Sequence, residues 1–131
     1  MAKIIIASGP VIVEDGKVML NQHGDTTFWK FCGGRVENME TNLFENAQRE
    51  VKEEMGVDIK ILDPEPFVMY TKKTTPEGDI DVLLVHYLCE RVGEITPGAD
   101  IRKWDWLPLE GIETQDLAPN ILPVLKHFKF I

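Results

Sequence analysis

The chain has 131 residues, 44% hydrophobic and 27% charged, which suits one domain with an apolar core and excludes global disorder. Its 22 acidic residues outnumber 14 lysines and arginines, giving a formal net charge of -8. That balance argues against a nucleic-acid polymer or an anionic membrane as main partner, since both select basic surfaces, but not against a small phosphate ligand bridged by metal ions.

The apolar start at Ile4–Ile6 is interrupted by Ser8, Gly9 and Pro10 and then meets Glu14 and Asp15, unlike a secretory leader. No stretch approaches the length of a transmembrane helix. Ile4 to Val13 is dense in β-branched residues and predicts a strand, and Asp15-Gly16 is a two-residue turn that returns Lys17–Leu20 as its partner. His23 to Thr27 is polar and reads as a loop. Phe28 to Phe31 is short and aromatic and ends at Gly33-Gly34, where the backbone is asked for something that side chains would obstruct.

Leu43 to Met55 carries Phe44, Ala47, Val51 and Met55 at three- and four-residue spacing, an apolar helical stripe. Asn42 is placed to cap it and Gly56 to end it. Strands follow at Val57–Leu62, Phe67–Lys73 and Ile80–Cys89, the last two joined by the turn Thr75-Pro76-Glu77-Gly78. Trp104–Leu107 is a further short strand, and a last helix begins near Pro123 with Val124, Leu125 and Phe128. No repeat or linker divides the chain, so residues 1–131 form one domain in this reading. Strands before, between and after two helices predict an α+β fold with a mixed sheet. Cys32 and Cys89 are too few and too far apart for a disulfide framework and read as buried thiols of a reducing, cytoplasmic compartment.

The chemically informative block is Arg49-Glu50-Val51-Lys52-Glu53-Glu54-Met55-Gly56. On a helix, Glu50, Glu53 and Glu54 point to one side with Cβ atoms about 5–6 Å apart, and their mutual repulsion costs helix stability. They also crowd the C-terminal half, where the helix dipole disfavours anions. A hard divalent cation with oxygen ligands is the simplest compensation; a solvated acidic face is the alternative.

The pattern from Gly34 to Val57 resembles the signature of the Nudix hydrolases. Gly34 is followed after five residues by Glu40, and Arg49 to Val57 matches the signature's helical block throughout. Eight residues, Thr41–Gln48, separate Glu40 from Arg49 where the family has seven, and Cys32 stands where many members carry proline. We assign the extra residue to the loop or first helical turn, which leaves Glu40 as either a turn-holding acid or a metal contact.

The resemblance implies an α/β/α sandwich around the mixed sheet and a Mg²⁺- or Mn²⁺-dependent attack of water on a pyrophosphate in a nucleoside diphosphate linked to another moiety. Glu53 and Glu54 are then metal ligands, Glu50 a further ligand or the base, and the Gly33 carbonyl an extra ligand. Arg49 orients Glu50, against the alternative of a surface ion pair with Glu45 or Glu53. A late acid is also expected, with Asp100 the best-placed candidate and Glu94 second; the alternative for Asp100 is a turn residue. Lys30 and Arg35, beside the glycine pair, are candidates for phosphate contact.

Phe28, Trp29, Tyr70 and Trp104 are candidates to stack on a base, with core packing as the competing reading for each. His23, His86 and His127 show no ligand spacing, and His86 reads as packed within its strand. The proline of ADP-ribose hydrolases is missing where Lys72 and Lys73 stand, and Tyr70 falls early for a dinucleoside polyphosphate hydrolase. The small MutT-like form remains, implying a nucleoside triphosphate or modified nucleotide as substrate. A nucleotide-sugar or ADP-ribose pyrophosphatase, or a non-catalytic nucleotide-binding module, is the alternative. A homodimer is among the assemblies the resemblance allows.

Overall fold

In the computed structural model, which describes residues 3–37 and 41–131, helix α1 spans Leu43–Met55 as the spacing predicts. Asn42 caps it by accepting a hydrogen bond from the Glu45 amide at 2.8 Å. Gly56 closes it in the left-handed region at φ 72°, donating its N–H to the Lys52 carbonyl at 3.0 Å. Ala47, Val51 and Met55 are fully buried along one stripe, and Phe44 meets Tyr87 edge-on at 5.5 Å. Burying side chains such as Val51 and Met55 stabilises the fold by about 1.5–3 kcal/mol each.

Seven strands form the sheet: β1 Ile4–Glu14, β2 Lys17–His23, β3 Gly34–Arg35, β4 Asp58–Ile61, β5 Phe67–Thr75, β6 Gly78–Val92 and β7 Ile101–Pro108. The order is β4-β6-β1-β2-β7, with β3 on the early half of β1 and β5 on the early half of β6. Only β1 and β6 run parallel, Ile4–Ile12 against Asp81–Cys89, so the sheet is mixed. The Asp15-Gly16 turn takes positive φ at both residues and returns β2 against β1.

Alternation along β1 divides the core. Ile12 faces α1 together with Met19, Val85 and Tyr87, whereas Val11 faces the opposite layer with Val18, Leu20 and Leu107. That second layer contains helix α2, Ile121–His127, whose Ile121, Val124 and Leu125 are fully buried. The result is the α/β/α sandwich around a mixed sheet that the resemblance implies.

Some boundaries differ from the sequence reading. Helix α2 starts at Ile121, so Pro123 lies inside its first turn rather than opening it. Strand β6 runs on to Val92 because β4 continues to pair with its second half. The two-residue β3 and a 3-10 turn at Ile112–Thr114 were not anticipated; both are too short to carry a periodic signal. Phe28–Phe31 forms only isolated bridges, Asn21 with Lys30 and Trp29 with Leu117. Both cysteines are buried free thiols.

Candidate active site

The carboxylates of α1 face the end of the sheet where the glycine pair crosses β1. Gly33 has φ 147°, and a Cβ there would stand 2.7 Å from the Ser8 carbonyl oxygen. A Cβ on Gly34 would lie 2.6 Å from Glu50 Oε1, so the missing side chain is the space that the Glu50 carboxylate occupies. The Gly33 N–H donates to Glu54 Oε1 at 2.8 Å, tying the glycine loop directly to the helix.

Burial pushes the Glu54 carboxyl up to about 7, and the nearby Glu50 and Glu53 charges push the same way, while the Gly33 N–H and Lys30 oppose them. His23 Nδ1 lies 3.4 Å from Glu54 Oε2. Glu53 is the open member of the trio, its side chain 60% exposed against 9% for Glu54.

Arg49 pairs with two of the three acids. One terminal nitrogen lies 3.0 Å from Glu50 Oε1 and the other 3.2 Å from Glu53 Oε1. Its guanidinium also donates to Asn46 Oδ1 at 2.8 Å. Asn46, fully enclosed, donates in turn to Ser8 Oγ and to the Gly34 carbonyl, both at 2.9 Å, and Ser8 Oγ donates to the Leu43 carbonyl. A single buried amide thus joins the arginine, the glycine pair and β1.

The loop after β6 closes the other side. Thr96 N–H donates to the Met55 carbonyl at 2.7 Å and Gly98 N–H to the Glu54 carbonyl at 2.8 Å, satisfying the open end of α1. This carries Asp100 into a cavity of about 100 Å³ with His23, Glu50, Glu53 and Glu54. Glu94 does not line it. Glu40 lies outside the described residues.

A second cavity, about 210 Å³, opens at the glycine pair. Gly33 and Gly34 line it with Lys30, Phe31, Leu84, Val85, His86 and Asn120. None of Phe28, Trp29, Tyr70 or Trp104 lines it: Trp29 is core, and Tyr70 is exposed and donates to Asp81 at 2.6 Å. Arg35 sits on β3 with its side chain outside both cavities.

Ser8, His23, Asn46, Phe31 and Asn120 were not singled out by sequence reasoning. Asn46 carried a signal, a short polar residue inside the apolar sector of a helix; Asn120, ahead of a helix, reads as an ordinary cap.

The Nudix domain family model matches residues 4–128. The chain belongs to the Nudix family and is a pyrophosphohydrolase of MutT-like type. It is 26% identical over 133 residues to the 8-oxo-dGTP diphosphatase of Escherichia coli (strain K12), covering 98% of both chains. The fold superposes on the MutT protein from Methanosarcina mazei Go1 with a TM-score of 0.78 at 20% identity, covering 98% of this chain and 94% of that one. The E. coli ORF135 protein gives 0.76 at 22% identity, covering 98% and 90%.

Proposed function

We propose that the protein hydrolyses a pyrophosphate bond of a nucleoside triphosphate, a modified one such as 8-oxo-dGTP foremost, with Mg²⁺ or Mn²⁺. The observation that carries this reading is that Gly33 and Gly34, which line an apolar cavity sized for a base, lie directly against Glu54 and Glu50, which line an acidic one. A nucleotide laid across the glycine pair places its phosphates against the carboxylates.

The acids suit a hard cation in donor chemistry. All are oxygen ligands, and Glu54 is a buried carboxyl whose ionised form Glu50 and Glu53 disfavour, so positive charge there relieves a standing repulsion. Among the described residues no three acidic, histidine or cysteine side chains form a ready-made ligating cluster. Arg49 pairs with Glu50 and Glu53 instead. Glu53 and Glu54, with Asp100 and the Gly33 carbonyl, would hold the ion. When bound, a divalent cation neutralises phosphate oxygens and acidifies the attacking water.

The chain's own groups do the rest. Glu50, oriented by Arg49, accepts the water proton as the new P–O bond forms and the bridging P–O bond breaks. Lys30, close enough to lower the Glu54 carboxyl and lining the base cavity, meets the phosphate charge. Ala118 and the β6 side chains keep the base out of water.

The test is release of phosphate or pyrophosphate from a panel of 8-oxo-dGTP, the common nucleoside triphosphates, ADP-ribose, nucleotide sugars and dinucleotides, with Mg²⁺ and with chelator. Metal-dependent cleavage of triphosphates is the expected result. Cleavage confined to ADP-ribose or sugars would overturn the substrate assignment, and nucleotide binding without turnover would overturn catalysis.

A further inference from the structure

We propose that His86 is a positioning residue: it fixes the orientation of the Asn120 side-chain amide at the base cavity and so commits that cavity to a base edge offering an N–H donor. The inference rests on the base occupying this cavity, as argued above, and it concerns two side chains that the hydrolytic chemistry does not use.

His86 lies mid-way along β6, 4% exposed, with Phe31 edge-on at 5.7 Å and Phe67 at 6.3 Å between ring centroids. Its Nδ1 stands 3.2 Å from the Phe67 carbonyl oxygen. A carbonyl can only accept, so Nδ1 carries the proton. Burial pushes the imidazolium down to about 4, so the ring is neutral near pH 7 and Nε2 can only accept. Asn120 Nδ2 lies 2.9 Å from that Nε2 and donates to it. The flipped amide would set a carbonyl oxygen against a ring lone pair. One orientation of Asn120 is therefore selected, and the groups it leaves for a ligand are Oδ1 and the second N–H.

A second observation points the same way. Asn120 occupies the N-cap of α2, where asparagine ordinarily accepts from a helix amide, yet its side chain makes no capping bond. The amide is committed to His86 and the cavity instead. An acceptor beside a donor matches an edge with N–H next to C=O. It mismatches an edge with two acceptors, which would leave Oδ1 facing a lone pair. The imidazole of 8-oxoguanine carries such an N–H where guanine has an acceptor nitrogen.

The test uses kcat and KM for 8-oxo-dGTP and dGTP in the full-length Mg²⁺-loaded protein and in His86→Phe, His86→Gln, Asn120→Ala and the His86→Phe/Asn120→Ala double variant. Phe keeps the ring packing and removes both nitrogens, whereas Gln restores an acceptor. We expect His86→Phe to raise KM for 8-oxo-dGTP by about tenfold and compress its preference over dGTP, the loss falling on KM rather than kcat. Gln should recover part of it, and the double variant should be no worse than Asn120→Ala. Wild-type preference in His86→Phe, or losses that add in the double variant, overturns the inference. Two-bond ¹⁵N–¹H couplings of the histidine rings give a readout free of activity and of any substrate. The Nδ1-protonated tautomer at neutral pH supports the assignment, and the Nε2-protonated form overturns it even if triphosphates are cleaved. Failure to cleave triphosphates, with that tautomer intact, strikes the substrate reading and leaves the His86–Asn120 geometry standing.

Discussion

Glu53 and Glu54 are neighbours in sequence with opposite surroundings, one open to solvent beside Arg49 and one enclosed against the Gly33 amide. For Glu53→Gln the shape is conserved and a ligand charge is lost. Turnover should fall by about a hundredfold or more while the unfolding midpoint stays within a few degrees, read by phosphate release and circular dichroism. Activity within a few-fold of wild type would remove Glu53 from the metal site. Glu54 makes a pH prediction for the chelated protein. Burial holds its carboxyl up at about 7 in the folded state against an ordinary 4.5, so between those values the native state binds more protons than the unfolded one. Stability from this group therefore declines as pH rises through that window and is level above it. Glu54→Gln lacks the penalty, so its thermal midpoint should gain on wild type between about pH 5 and 8. His86 works in the other direction, burial holding it down at about 4 against an ordinary 6.5, so that stability is lost as pH falls through that range. That contribution is common to both proteins and cancels in the difference.

At the scale of elements, α1 holds the site in register through Asn46 as much as through its acids. Six of the eight residues between Glu40 and Arg49, Leu43–Gln48, are helical, and only Thr41 and Asn42 precede the helix. Deleting Thr41 should leave cooperative unfolding intact. Deleting Gln48 turns the first helical turns by about 100° against the Arg49–Met55 block, taking Asn46 and Ala47 from their partners. Denaturant titration of the two deletions should give a normal transition for the first and a broadened or lost one for the second. This helix was legible in the sequence because its limits are written in local chemistry, Asn42 and Gly56, and its face in a 3.6-residue period. The acid side of the site was legible for the same reason, being packed into one helical turn with a late aspartate. The base cavity was not. Phe31, His86 and Asn120 come from three separated segments, joined by the parallel pairing of β1 with β6 and by the bridge between Trp29 and Leu117. Aromatic content alone does not separate core from cavity, and Trp29 packs in the second core layer, the core reading weighed for it.

Over the whole molecule, the net charge is -8, and under the proposed function it would face a polyanionic substrate across the acids of α1. A divalent ion that binds only the folded state should raise the thermal midpoint. Because a proton on Glu54 competes with it, the shift on adding Mg²⁺ should be larger at about pH 8 than at about pH 5.5, measured by differential scanning fluorimetry. Equal shifts at both would place the ion away from Glu54. The loop after β6 bears on how such a protein can change. Residues 96–98 are stitched to the end of α1 by main-chain groups, and Gly98 could not carry a methyl group without meeting the Glu53 carbonyl oxygen at 2.6 Å. Main-chain seams do not depend on which side chains flank them. Natural drift or a laboratory library at Ala99 can therefore redecorate the acidic cavity while Asp100 keeps its station, provided the one glycine is spared.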